Sequence, residues 1–292
     1  MKANRNNQYI YIKKRKFYIR SSRAVSIEFK LSVNRNMIVV FLFLFLFVAW
    51  LCRTPQRESR TRIPRVIHKI YIQHDNTFGT IQSEIQNAHD SWSRLNPGYK
   101  IKYYNGKDCE EYLMRYFGRK HLQTYQNINA YSGKVNFMRA CIVYNEGGWY
   151  SDWKQVCLKP LDGLCKHEWV SAHDQPFLHK KYKRSFMMTA FFGAVSKHPL
   201  AKRYIDNIIR NVETKFYGDS PLDTTGTGCL GKSFDEMKNN TNNMLIGKFD
   251  GSCFTFLGVK WVQHKCDKCT KGQNWKHGNN YNDLWNNRAY YR

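Results

Sequence analysis

Acidic residues are scarce in this chain of 292 residues, which has 22 Asp and Glu against 47 Lys and Arg and a formal net charge of +25. Such a surplus favours an anionic partner, for which nucleic acid, phospholipid headgroups and a diphosphate substrate are all eligible. About a third of the surplus lies in residues 1–36, where Glu28 is the only acid. Because an uncharged apolar run follows directly, these basic residues indicate a membrane-flanking tail, and we expect no nucleic-acid partner.

Charge is absent from Met37 to Leu51, an apolar run with basic residues before it. As a helix it would span about 22 Å, short for a bilayer core of about 30 Å but sufficient in a thin early-secretory membrane. The run also lacks the small residues of a signal-peptide cleavage site, because it closes on Trp50 and Leu51. We therefore expect a retained signal-anchor. The alternative is a cleaved signal peptide, which a start at Met37 would favour.

Four segments make up the predicted organisation: a basic cytosolic tail (1–36), a transmembrane signal-anchor (37–52), a short linker (53–61) and a folded domain (62–292). The positive-inside rule places the domain in the lumen of the Golgi or endoplasmic reticulum, as in a single-pass type II membrane protein. No internal repeat or low-complexity segment is present. With 42% hydrophobic and 15% aromatic residues, the chain should fold around a buried core.

Cysteine usage agrees with an oxidising compartment, because eight of the nine cysteines follow the predicted signal-anchor at 37–52. An even number permits disulfides without establishing a pairing. Cys266 and Cys269 form a CxxC pair near His264 and His277, but the second CxxC or spaced His pair of a strong zinc pattern is missing. A disulfide is therefore favoured over zinc. The sequon at 239–241 lies in a polar stretch suited to glycosylation.

Local patterns predict a βαβ unit at the start of the domain. Residues 62–72 are rich in β-branched residues behind Pro64, and residues 100–105 follow a Pro-Gly turn, as strands commonly do. The segment between them carries apolar residues at helical spacing: Ile81, Ile85, Ala88 and Trp92.

Further elements continue the alternation of helix and strand. The helical pattern VNFMRACIVYNE closes on the pair Gly147-Gly148, a C-cap signal, before the strand WYSDW. WVSAHD and FMMTAFFGAV predict strands, and HPLAKRYIDNIIRNVETKF predicts a long amphipathic helix. We expect an α/β domain with a mostly parallel mixed sheet and a ligand crevice at the carboxyl ends of its strands.

An ordered set of segments resembles a known family: IPRVIHKIYI, SWSRLNPGYKIKYYN, RACIVYNEGGWYSDW, KPLD and FFGAVSKHPL. The set is similar to DXD-motif glycosyltransferases of the fungal initiating α-1,6-mannosyltransferase and inositolphosphoceramide mannosyltransferase type. The resemblance implies a GT-A-like fold and retaining hexose transfer, with mannose favoured, to a glycan or glycolipid acceptor. It also implies a nucleotide-sugar donor, GDP-mannose or a UDP-sugar, used with Mn²⁺.

Transfer from a nucleotide sugar builds negative charge on the leaving phosphate, so a cation must lie against it. The resemblance puts Asp152 at the first acid of the DXD motif, in contact with the donor and the metal shell. Lys154 stands where the second, metal-ligating acid is usual. Its ammonium cannot ligate Mn²⁺ but suits a diphosphate oxygen. Asp152 and Lys154 are therefore the catalytic candidates, and Asp152 is the metal candidate.

The resemblance assigns four more donor-binding candidates, which are Asn136, Arg139, His68 and His264. Asn136 replaces the acid of the family's Ser-Asp-x-x-Arg pattern, so it offers an amide rather than a carboxylate to a sugar hydroxyl. Alternatives stay open: Arg139 pairing with Glu146, and His68 as a satisfied core histidine. The segment 224–232 resembles an acceptor-side loop of the family, or is a flexible turn.

Two functions remain in view. The main hypothesis is a working transferase with little or no dependence on divalent metal. The alternative is a catalytically silent protein that acts as a lectin or scaffold, because Lys154 and Asn136 both depart from the family pattern.

Overall fold

The computed structural model describes residues 62–73, 83–237, 243–267, 269 and 278–292. The predicted tail, signal-anchor and linker, the sequon at 239–241 and His277 lie outside the described residues. Within the described ranges, no helix has the length and apolar character needed to cross a membrane.

Strands and helices occur throughout the described chain, with three helices in succession between residues 106 and 146 and three strands in succession between residues 244 and 263. The strands are β1 (Val66–Ile70), β2 (Lys100–Tyr104), β3 (Gly148–Ser151), β4 (Val156–Cys157), β5 (Trp169–His173), β6 (Phe191–Ala194), β7 (Met244–Phe249), β8 (Cys253–Phe256) and β9 (Val259–Gln263). The helices are α1 (Ser83–Leu95), α2 (Gly106–Tyr116), α3 (Arg119–Gln126), α4 (Tyr131–Glu146), α5 (Pro176–Tyr182), α6 (Pro199–Glu213), α7 (Thr227–Asp235) and α8 (Tyr281–Asn286).

All of these strands join one mixed sheet in the order β2-β1-β3-β6-β5-β7-β8-β9-β4. The expectation of a mixed α/β domain is confirmed, and the predicted unit β1-α1-β2 is present with parallel strands. The expectation of a mostly parallel sheet is wrong. Only the pairs β1–β2, β1–β3 and β5–β7 are parallel, whereas the other five are antiparallel. The strands β6, β8 and β9 follow turns or long connections, and local sequence patterns do not predict in which direction such strands run in the sheet.

The carboxyl ends of β1, β2, β3, β5, β7 and β9 lie along one edge of the sheet. This follows from the pairings, because β6 and β8 run opposite to their neighbours on both sides. The sheet also curves back on itself. A connection of only four residues, 152–155, joins β3 to β4, yet β4 pairs with β9 at the far end of the strand order. The end of β9 therefore comes close to the end of β3.

Alternating side chains divide the core between the two faces of the sheet. Trp149 and Phe191 stack on one face, with Trp92 of α1 beside Phe191. Tyr150 and Phe192 pack on the other face, in the cluster that includes helices α4 and α6. This period of two is the ordinary consequence of strand geometry. It buries β3 on both sides and so holds the residues that follow it in place.

Candidate functional site

A cavity of about 290 Å³ opens at the sheet edge where β1 and β3 end. Its walls come from the end of β1 (Ile70, Tyr71, Ile72), from α4 (Tyr131, Ser132, Val135, Arg139), from β3 and the turn after it (Tyr150, Asp152, Trp153, Lys154) and from the end of β9 (His264, Lys265). The charged side chains among these described residues are Arg139, Lys154, Lys265 and Asp152, so cations exceed carboxylates there. The position agrees with the crevice expected at the carboxyl ends of the strands.

Asp152 is held at the cavity wall by groups from two elements. Its Oδ1 lies 3.2 Å from Nη1 of Arg139 and accepts a hydrogen bond of 2.8 Å from the hydroxyl of Tyr150. The Arg139 guanidinium lies 4.2 Å from the centre of the Tyr150 ring and donates to the carbonyl oxygen of Thr189. Arg139 is 6% exposed and Asp152 34% exposed. The arginine is thus a buried support, while the carboxylate reaches the cavity.

This pairing settles the alternative for Arg139, because Glu146 pairs with Lys102 instead. Arg139 and Glu146 are seven residues apart on α4, which separates them by about 10 Å along the helix axis. Two turns of helix separate them, whereas Arg139 is directed towards β3. The prediction that Arg139 and Asp152 belong to one site agrees with this geometry.

Lys69 lies beneath Asp152 and is completely buried on β1. Its ammonium donates to the hydroxyl of Ser151 at 3.1 Å and to the carbonyl oxygen of Asp152 at 3.2 Å. The same ammonium lies 4.8 Å from the ring centre of Trp92. Burial lowers the pKa of Lys69 to about 7, and the negative charge of Asp152 opposes the shift. Lys69 therefore fixes the backbone at the end of β3.

Lys154 and Lys265 come from segments that are distant in sequence and adjacent in space. The backbone N–H of Cys266 donates to the carbonyl oxygen of Lys154 at 2.8 Å, and both lysines line the cavity. Partial burial lowers the pKa of Lys154, and the positive charge of Lys265 lowers it further. The second position of the DXD pattern thus carries an ammonium with a second ammonium beside it.

His264 lies at the cavity, directly after β9, as its predicted role requires. Burial lowers its pKa, while Asp152 and Asp174 oppose that shift and Lys265 adds to it. Its Nδ1 is buried and has no hydrogen-bond partner in the described part of the chain. A neutral imidazole with an unused nitrogen at a cavity wall is available to a ligand.

Asn136 is buried in a polar network behind the cavity and is not among the residues that line it. Its amide donates to the Thr225 hydroxyl at 3.2 Å, and its oxygen accepts from the Thr189 hydroxyl at 3.3 Å. The Thr225 hydroxyl in turn lies 2.7 Å from that of Tyr290. Asn136 therefore uses its amide to join α4 to the C-terminal segment, and its predicted contact with a sugar is not part of this geometry.

His68 lies in the core rather than at the cavity. Its Nε2 lies 3.0 Å from the carbonyl oxygen of Gly147 and its Nδ1 3.2 Å from the hydroxyl of Tyr104. Burial lowers its pKa to about 4, so the ring is neutral and both nitrogens are engaged. The alternative of a satisfied core histidine describes His68, and its assignment as a donor-binding residue does not fit its position.

The segment 224–232 is a packed helix start and not a flexible turn. Thr224 and Thr225 are completely buried, and α7 begins at Thr227. A Cβ on Gly231 would approach the carbonyl oxygen of Ser185 to 1.9 Å, so this helix lies directly against its neighbour. Its role beside an acceptor stays a prediction.

The donor set does not fit Mn²⁺, the metal that the resemblance implies. Among the described residues of the cavity wall, Asp152 supplies the one carboxylate, and it pairs with Arg139. Among the residues that the structure describes, no group of three His, Cys, Asp or Glu side chains could hold a metal ion. Manganese prefers several oxygen or nitrogen ligands, and two ammonium groups at the same wall oppose a cation. The assignment of Asp152 as a metal ligand is therefore not supported.

Cys266 and Cys269 form a disulfide, as the spacing favoured. The bridge follows Lys265 directly and limits the freedom of the chain that leaves the cavity. The other cysteines of the described ranges are buried thiols: Cys109, Cys141, Cys157, Cys165, Cys229 and Cys253. The zinc alternative also required His277, which lies outside the described residues.

Sequence patterns missed three residues of the site: Lys69, Tyr150 and Lys265. Lys69 lies on a strand that is buried on both faces, where a lysine is rare unless its charge has a partner. A lysine within a β-branched strand was therefore the signal that could have identified it. Tyr150 alternates with Trp149, so period two places it on the face of α4. Lys265 had no local signal, because its position depends on the pairing of β4 with β9.

Comparison with known proteins agrees with the geometry. Residues 82–171 match a family described as glycosyltransferase sugar-binding region containing DXD motif, a range that includes Asn136, Arg139, Asp152 and Lys154. An uncharacterized glycosyltransferase of Acanthamoeba polyphaga mimivirus is 28% identical over 213 residues, which cover 71% of this chain and 80% of that protein.

Two solved structures are also similar. The PaToxG glycosyltransferase has 15% identity and a TM-score of 0.47 over 71% of this chain and 82% of its own. The galactosyltransferase LgtC, in complex with donor and acceptor sugar analogs, has 9% identity and a TM-score of 0.36 over 77% of this chain and 95% of its own. Scores this low do not by themselves establish a shared fold. The matched region and the viral relative make this chain similar to glycosyltransferases whose sugar-binding region contains a DXD motif.

Proposed function

We propose that this chain is a retaining hexosyltransferase with a GT-A-like fold that needs no divalent metal. Its donor is a nucleotide sugar, GDP-mannose or a UDP-sugar with mannose favoured, and its acceptor is a glycan or glycolipid. The observation that carries the proposal is the pair Asp152–Arg139 at the wall of a strand-end cavity, within the region matched to the DXD family.

The reaction replaces one oxygen at the anomeric carbon of the donor sugar. The bond to the diphosphate oxygen breaks, the acceptor hydroxyl oxygen forms the new glycosidic bond, and its proton is released with the nucleoside diphosphate. Negative charge grows on the leaving phosphate in the transition state. Arg139 orients Asp152 towards the donor, while Lys154 faces the phosphates and stabilises the charge that develops there.

The first prediction concerns Asp152. In purified full-length protein with a panel of nucleotide sugars, Asp152→Asn should lower the rate of hexose transfer by about 10²-fold, because it removes a charged group aimed at the donor. The amide keeps the size of the side chain and can still accept from the Tyr150 hydroxyl. Asp162→Asn is the matched control, since that exposed carboxylate pairs with Arg65 away from the cavity. Equal transfer by Asp152→Asn and the native chain would contradict the assignment.

The second prediction concerns metal. Transfer by the native chain should survive EDTA, because Mn²⁺ about 4 Å from an ammonium is repelled by several kcal/mol per pair even at an effective dielectric near 20. Lys154→Asp restores the second acid of the DXD pattern, so its transfer should rise when Mn²⁺ is added. Lys260→Asp, on β9 and outside the cavity wall, serves as the charge-matched control. Native activity that disappears with EDTA would show that a metal takes part.

A catalytically silent lectin or scaffold is the second candidate. Lys154 at the position of an acid and the internal use of the Asn136 amide favour it. Such a protein would bind nucleotide or glycan and never release a nucleoside diphosphate. Turnover of any donor above a heat-denatured sample would exclude it.

We also propose that the domain is lumenal and anchored in a Golgi or endoplasmic reticulum membrane through residues 37–52. Three features of the sequence support this proposal: the basic tail, the uncharged apolar run, and the bulky Trp50 and Leu51 at its end, which do not suit signal-peptide cleavage. Protease added outside sealed microsomes should then remove only residues before the anchor, and Asn239 should carry a glycan sensitive to endoglycosidase. Asn239→Gln is the control for that glycan. Digestion of the large domain in sealed vesicles would overturn the proposed topology.

A further inference from the structure

We propose that Lys154 and Lys265 form a paired cation site for the diphosphate of the donor. The proposal rests on the proposed function for the identity of the ligand, and it adds Lys265 as a second binding group. Neither the DXD pattern nor the residues around Lys265 assign that role.

The pairing of β4 with β9 brings the two lysines together. The strands are antiparallel, with Val156 opposite Gln263 and Cys157 opposite Val262. Continued beyond the strands, this register brings Lys154 against the segment of Lys265, and the hydrogen bond of 2.8 Å from the Cys266 N–H to the Lys154 carbonyl oxygen fixes the approach. The Cα atoms of residues opposite one another in antiparallel strands lie about 5 Å apart, so two long lysine side chains at such positions can both reach one diphosphate.

Electrostatics at this wall also favour an anion. Two ammonium groups that share a partly buried wall repel each other. A nucleoside diphosphate carries at least two negative charges and several acceptor oxygens, so it offsets both ammonium charges at once. The Cys266–Cys269 disulfide next to Lys265 limits the motion of this segment before the ligand binds.

The test measures binding of UDP and GDP to the purified full-length chain in EDTA by isothermal titration calorimetry. Lys154→Met and Lys265→Met should each weaken diphosphate binding about ten- to hundredfold, the range expected for one charge-assisted contact. Binding of UMP and GMP should change by less, because a monophosphate cannot bridge both lysines. The arginine variants Lys154→Arg and Lys265→Arg keep the charge and should retain most of the affinity.

Lys260→Met is the matched control, because Lys260 lies on β9 and pairs with Asp250 outside the cavity. Thermal unfolding of each variant separates loss of binding from loss of folding, and the arginine variants show whether charge is the cause. Unchanged diphosphate affinity in both methionine variants, no diphosphate binding at all, or binding that requires added Mn²⁺ would overturn the inference.

The outcomes also separate this inference from the proposed function. Lysine-dependent diphosphate binding without hexose transfer from any donor would leave the paired site standing and exclude the transferase. Transfer that is insensitive to Lys265→Met would leave the transferase standing and exclude the paired site.

Discussion

Lys69 combines complete burial with a direct hold on the backbone of Asp152. Its ammonium has two hydrogen-bond acceptors, Ser151 and Asp152, and an aromatic face, Trp92, around it. The negative charge of Asp152 acts to raise its pKa, and burial lowers that pKa more strongly. Burial removes the hydration of the Lys69 ammonium, and the hydrogen bonds that this group makes instead fix the end of β3.

The third prediction follows from the pKa of Lys69, which is about 7 in the folded protein and 10.5 in an ordinary lysine. Between these values the unfolded chain binds a proton that the folded chain does not, so this group raises stability as pH rises through 7. Lys69→Met should remove up to about 1.4 kcal/mol of that rise per pH unit.

The measurement is thermal unfolding between pH 6.5 and 8.5, below the range in which unfolded thiols and phenols lose most of their protons. Lys100→Met, an exposed lysine on the neighbouring strand, is the control and should follow the native curve. A Lys69→Met curve with the same slope as the native curve would mean that Lys69 does not titrate in this range.

The junction between α4 and β3 is the element that aims Asp152. Gly147 caps the helix with a φ of +71°, and Gly148 follows with a φ of +95°. A Cβ on Gly147 would lie 2.7 Å from the backbone nitrogen of Ser196, and a Cβ on Gly148 would lie 2.4 Å from Cγ1 of Val66. Both glycines are therefore required by backbone conformation, and Gly148 is required also by the closeness of β1.

The fourth prediction uses this junction. Gly148→Ala should destabilise the protein by about 2–4 kcal/mol, because it combines an unfavourable φ with contacts to Val66 that cannot relax easily. Gly118→Ala isolates the cost of the unfavourable φ, since Gly118 has a φ of +80° and a Cβ added there would meet no atom within 4 Å. Chemical denaturation should give a clearly larger loss for Gly148→Ala. Equal losses would show that space at β1 does not matter.

Buried neutral histidines link the stability of the whole molecule to pH. Burial lowers the pKa of His68, His89 and His198 to about 4 each. Each gains a partner that suits a neutral ring; His198, for example, accepts a hydrogen bond from the Leu200 N–H at the start of α6. Below the ordinary histidine pKa of 6.5, the unfolded chain binds protons that the folded chain excludes. Stability should therefore be complete above pH 6.5 and fall as pH decreases towards 4.

The fifth prediction tests this linkage through His198→Asn. Asparagine keeps an acceptor for the Leu200 N–H at the N-cap but does not titrate. The variant should lose some stability at pH 7, because its contact with the Trp169 ring is lost, and should lose less than the native chain between pH 6.5 and 4.5. Melting temperatures across that range give the comparison. A parallel decline in both proteins would assign the acid sensitivity to other groups.

Local sequence patterns were sufficient for much of the fold and for part of the site. Periodicity and capping predicted β1, α1, β2 and the helix that ends at Gly147, because those signals lie within one element. They also placed Arg139 and Asp152 on elements that meet. They could not direct β6, β8 and β9, and so a mostly parallel sheet was expected where antiparallel pairs prevail.

The order of chemical groups along the chain was determined by the sequence alone: an arginine on a helix, a glycine pair, a strand, then Asp152 and Lys154. The tertiary structure decided which groups meet. His68 lies on a strand that was expected to contact the donor, yet both its ring nitrogens form hydrogen bonds within the core. Lys265 joins Lys154 only because the sheet curves until β9 pairs with β4. Periodicity reports the surroundings within one element, whereas contacts between distant segments depend on how the sheet closes.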